Sequence, residues 1–116
     1  MLSGLDMVQR LRDLLDNLLP KGVRQIAKYG VDHAEYERQY RKLVKQETLK
    51  AQTAGIPATL IRDIVRGTDC VADAKFESDK ADALYKAAQE SVNINKLTAK
   101  ILQEQMKQEW GNNSNG

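Results

Sequence analysis

The chain has 116 residues, 41% apolar and 29% charged, close to a globular average, so neither a disordered nor a fibrous nor a disulfide-rich class fits. Eighteen basic against sixteen acidic side chains leave a net charge of +2, far from the excess of an obligate nucleic-acid binder. One cysteine excludes an internal disulfide, and only two prolines and seven glycines mark a helix-forming chain of one domain over residues 1–110.

Leu5, Val8, Leu11, Leu15 and Leu18 recur at three- and four-residue steps, which predicts an amphipathic helix over about 4–19. Pro20 lacks an amide donor, so a bend is expected at 20–22, followed by a helix over 21–29. Gly30 then reads as a stop and Asp32 as the cap of a new helix over 32–54, with Glu35 placed to reach back to the cap; the alternative is that Gly30 lies inside one longer helix. On that helix Tyr36, Tyr40, Leu43, Val44 and Ala51 share a face, while Arg38, Arg41, Lys42 and Lys45 lie outside it. Gly55-Ile56-Pro57 terminates it, because glycine accepts the left-handed conformation and proline forbids continuation. Thr59 is the expected cap of a short helix over 59–66, Gly67 its left-handed terminator, and Thr68 or Asp69 the cap of the next element.

From Asp69 to Trp110 there is neither Pro nor Gly, which predicts one helix of about 60 Å over 69–110, and the tail 111–116 is expected to be disordered. Ala74, Ala81, Leu84, Tyr85, Ala88, Val92, Ala99, Leu102, Met106 and Trp110 fall on one side of it; Phe76, Ala87, Ile94, Leu97 and Ile101 fall nearly opposite. Two apolar sides imply two contacts. The 32–54 helix, folded back across the Gly55-Pro57 turn, covers part of one; the distal half needs the N-terminal helices or a second chain. The expected fold is therefore all-α, a long antiparallel helical hairpin with a short helix at its bend and an N-terminal amphipathic helix.

Catalytic chemistry finds little material. His33 is the sole histidine and Cys70 the sole cysteine, so a His–His metal site is impossible, and a Cys–His pair needs the fold to join distant segments. The glycines are too isolated for a phosphate loop, and the pairs Asp73/Glu77 and Asp79/Asp82 lie among lysines on a solvated helix surface. No enzyme, catalytic residue, cofactor or metal is expected. The mixed Arg and Asp side of the first helix argues against membrane binding, and the absence of a long apolar run or leader-like start argues for the cytoplasm. Two surfaces stand out. Phe76, Ile94, Leu97, Ile101 and Trp110 form a candidate surface for a partner protein or for self-association. Arg38, Arg41, Lys42, Lys45, Arg62 and Arg66 are candidate nucleic-acid contacts, the last two on a short helix after a tight turn, as in a helix-turn-helix.

Over roughly residues 33–110 the pattern Tyr36-x-x-x-Tyr40, Gly55-x-Pro57-x-Thr59-Leu-Ile-x-Asp63-x-x-Arg66-Gly67, then Ala72, Phe76, Asp79, Tyr85, Asn93, Lys96 and Glu109-Trp110, resembles an uncharacterised family of small helical proteins of phages and prophages of Gram-positive bacteria. The resemblance implies a phage-encoded accessory protein in the host cytoplasm, with no catalytic residues to carry over; the two apolar sides of the last helix lead us to expect a protein that binds a phage or host protein and forms a homo-oligomer. The alternative is a nucleic-acid-binding accessory to phage replication or recombination.

Overall fold

A computed structural model describes residues 3–115, all but a few of them helical and none in a strand. The elements are α1 (Gly4–Asp13), a π-helical segment (Leu14–Leu18), α2 (Leu19–Thr53), α3 (Ala58–Gly67) and α4 (Asp69–Asn115). The protein is an all-α helical hairpin, as its periodicity predicts. Its packing forms two compact units, one from the residues up to Ala27 and from Lys86 onward, the other from Lys28–Tyr85.

The first helix starts at a cap formed by Ser3, whose hydroxyl accepts from the Asp6 amide at 3.1 Å while Asp6 accepts from the Ser3 hydroxyl at 2.8 Å and from its amide at 3.4 Å. Contrary to the expected bend at Pro20, α1, the π segment and α2 follow one another without a non-helical residue. The reason lies one turn earlier. In the π segment the Leu19 amide donates to the Leu14 carbonyl, five residues back, and this wider turn relaxes the crowding between the proline ring and the carbonyls behind it. The same extra residue resets the apolar phase. Met7, Leu11 and Leu14 face inward before it; Leu19, Gly22 and Ile26 face inward after it, one position later than an uninterrupted helix would place them. The buried row is therefore Met7, Leu11 and Leu14, and Leu5, Leu15 and Leu18 of the expected leucine stripe are exposed.

Gly30 does not stop the helix, and Asp32 is not a cap. Both lie inside α2, where Glu35 accepts from Arg38 at 2.7 Å instead of reaching back to residue 32. Glycine at 22 and 30 serves close approach. A Cβ at Gly30 would sit 3.0 Å from the Tyr85 ring, and one at Gly22 would sit 2.6 Å from Val92 Cγ2.

In the Lys28–Tyr85 unit, α2 and α4 run antiparallel: Gly30 meets Tyr85, His33 lies 3.9 Å from Asp82, Tyr40 lies under the Lys75 ammonium, and Glu47 meets Cys70. Ala51, Val65, Val71, Ser78 and Ala81 are buried there. The turn forms as its sequence predicts. Gly55 has φ +78°, its amide donates to Gln52, and the Ile56 amide donates to Ala51, which satisfies the last carbonyls of α2. At the other end of α3 the expectation fails. Gly67 is the last residue of α3 and has no positive φ. Thr68 ends α3, its hydroxyl donating to the Ile64 carbonyl, while its own carbonyl accepts from Val71 and Ala72 to start α4. Thr59 is not a cap either, since α3 starts after Pro57, whose carbonyl accepts from Leu60.

In the other unit Met7, Leu14, Ala99 and Leu102 form a buried cluster, with Leu11 and Met106 packed against it and Ala88 and Val92 buried further along α4. The N-terminal helix thus covers the distal half of α4. The helix continues past Trp110 through Asn115, where a disordered tail is expected; Gly116 lies outside the described residues.

Two substitutions follow. Gly22→Ala gains helix propensity but drives a methyl into Val92, a stiff β-branched side chain, so it should lower stability by about 1–2 kcal/mol in thermal or denaturant melts. In a Val92→Ala background the same change should be neutral or stabilising. At the turn, Gly55→Ala should cost about 1–2 kcal/mol, because it forces an L residue into the left-handed region. Gly67→Ala, at a position where a Cβ meets open space, should leave the melting temperature unchanged or raised.

Candidate interaction surfaces

Along α4 the buried positions Val71, Ser78, Ala81, Ala88, Val92, Ala99 and Leu102 keep to a heptad row that faces α1 or α2. Ile94, Leu97 and Ile101 recur at steps of three and four on the opposite side of the same helix. They are 54%, 58% and 49% exposed, so no part of the described chain covers them.

The five apolar candidates do not form one surface. Phe76, 64% exposed, sits in the other packing unit. Trp110, 66% exposed, is nine residues beyond Ile101 and therefore half a revolution around the helix. It borders a shallow depression with Leu11 of α1 and Met106 and Lys107 of α4, beside the core seam.

The basic candidates fall into two groups within the Lys28–Tyr85 unit. Arg38, Arg41, Lys42 and Lys45 line a shallow depression along α2 together with Glu37. The two arginines there are already engaged: Arg38 pairs with Glu35 at 2.7 Å and Arg41 with Glu37 at 2.8 Å. The hydrogen bond from Arg38 holds the Glu35 carboxyl below its ordinary range, and the same bond holds the guanidinium above its own. Arg62 and Arg66 instead border a cleft between α2 and α3. On α4 the Lys75 ammonium is raised above its usual value chiefly by its hydrogen bond to Asp79, at 3.0 Å.

Possible reacting groups stay apart. His33 stacks on the Tyr85 ring, with centroids 6.5 Å apart, and faces Asp82. The Cys70 thiol donates to Glu47 at 3.8 Å, and Glu47 also accepts from Lys50. Fourteen residues of α2, about 21 Å, separate His33 from Glu47, so the hairpin register keeps thiol and imidazole from meeting. Among the described residues no three His, Cys, Asp or Glu side chains converge on a metal-sized site, and no helix is long and apolar enough to cross a membrane.

No protein-family model, curated protein or solved structure matches the chain.

Proposed function

We propose that the protein is a non-enzymatic helical interaction module that engages a second helix through Ile94, Leu97 and Ile101, self-associates weakly by the same route, and acts in the host cytoplasm as a phage or prophage accessory protein. The observation that carries the interaction is this triplet, exposed on a helix whose other side is already filled. Isoleucine at one heptad position and leucine at the next is the pattern of parallel two-stranded helix packing, which supports a second copy as one occupant. Burying each half-exposed side chain contributes about 1 kcal/mol. Six such side chains across a two-fold contact offset little more than the loss of translational and rotational freedom, so self-association is weak and a partner with a longer apolar face binds more tightly. The phage setting rests on the sequence resemblance alone.

Sedimentation over a concentration series should show a reversible monomer–dimer equilibrium that is still incomplete at millimolar protein, since a dissociation constant of about 1 mM already needs about 4 kcal/mol net. Ile94→Glu with Ile101→Glu should abolish it without lowering the melting temperature, because both side chains lie outside the core. A strict monomer throughout that range would remove self-association.

The nucleic-acid reading is favoured by one observation, the convergence of Arg38, Arg41, Lys42 and Lys45 on one depression. The carboxylates of Glu35 and Glu37 compete there with phosphate. On this reading Glu35→Gln with Glu37→Gln should tighten binding to duplex DNA in a low-salt titration, and affinity should fall steeply with added salt. Unchanged absence of binding in that variant would exclude it.

A further inference from the structure

The cleft between α2 and α3 has a chemistry of its own. Tyr40, Val44, Thr48 and Gln52 recur every four residues and form a row along α2 about 18 Å long. The four-residue connection 54–57 reverses the chain, so the facing row from α3, with Ile61 and Val65, runs the other way. Val65 is buried, and Tyr40, Val44 and Ile61 are half-buried, which makes the floor apolar. Arg62 and Arg66 stand exposed on the rim, one turn apart. Unlike Arg38 and Arg41, neither forms an ion pair among the described residues, and no carboxylate lines the cleft.

A trough between two antiparallel helices receives a third helix side-on, its apolar residues seated on the floor at helical spacing. Two guanidinium groups four residues apart match carboxylates four residues apart on the incoming helix. We propose that the α2–α3 cleft is a docking groove for an acidic amphipathic helix of a partner protein, with Arg62 and Arg66 selecting its charge. The groove shares no residue with the Ile94-Leu97-Ile101 stripe, so it stands whether or not that stripe associates.

The probe is a capped peptide of about four helical turns, with leucines at i, i+3, i+4 and i+7 and glutamates flanking them at four-residue spacing. It should bind the full-length protein saturably in a calorimetric titration and shift the amide and side-chain NMR signals of Tyr40, Val44, Ile61 and Val65. Arg62→Glu with Arg66→Glu should weaken it by about tenfold, as should Arg62→Ala with Arg66→Ala to a lesser degree, and the double Glu variant should recover affinity for a peptide carrying lysines in place of glutamates. Equal binding of a glutamine-for-glutamate peptide, loss of binding through Leu97→Glu, or no binding at millimolar peptide would overturn the proposal. Duplex DNA binding through Arg62 and Arg66 with no peptide binding would overturn it in favour of nucleic acid.

Discussion

Everything else in this protein depends on how closely its helices approach one another. The seam is built from small side chains: Gly22 against Val92, Gly30 against Tyr85, and Ala51, Ser78, Ala81, Ala88 and Ala99 among the buried positions. Such a seam gains dispersion energy from near-contact of backbones, yet buries little apolar area per residue. Stability is thus spread along the helices. Larger apolar side chains enter it at a few places, such as Met7, Leu14 and Leu102, and many sit outside: Leu5, Val23, Phe76, Ile94, Leu97, Ile101 and Trp110. The size of the residues in the seam and the apolar exposure of the surface are two sides of one constraint, and that exposure makes binding the natural reading of the molecule.

The electrostatics point the same way. Most ion pairs join residues three or four apart on one helix, such as Glu35–Arg38, Glu37–Arg41 and Lys75–Asp79. They neutralise the surface locally and contribute little to stability. Arg62 and Arg66 stand out against that background, because neither is held in such a pair among the described residues, although Asp63 lies three residues before Arg66 on the same helix.

The helix-forming class, the Gly55 turn and the two-sided character of the last helix are all legible in the sequence, because each follows from local spacing. What escapes it are the places where tertiary contact overrides local preference. Gly30 followed by Asp32 reads as a stop and restart on propensity, but the Tyr85 ring packs so closely there that a Cβ would lie 3.0 Å from it, and the helix runs on. Gly67 reads as a left-handed terminator, yet the Thr68 hydroxyl and carbonyl close one helix and open the next without it. The first leucine stripe is misphased by one residue because two apolar rows lie side by side, and only packing against Ala99 and Leu102 chooses between them. For the surfaces, helical spacing alone separates Trp110 from the Ile94 face. The joining of Arg62 and Arg66 to a row on α2 needed the fold, since no local pattern relates residues 40–52 to residues 58–66.

The π segment behaves like a dislocation in a one-dimensional lattice. It holds one residue more than the packing repeat allows, and a helix with no loop at this point cannot expel it. Shifted toward the N-terminus, the surplus would rotate Leu11 and Leu14 out of the cluster with Leu102; shifted toward the C-terminus, it would leave an ordinary α-turn before Pro20 and bring the ring into collision with the carbonyl behind it. The defect is pinned from both sides, and it sets the phase in which Gly22 and Ile26 meet α4.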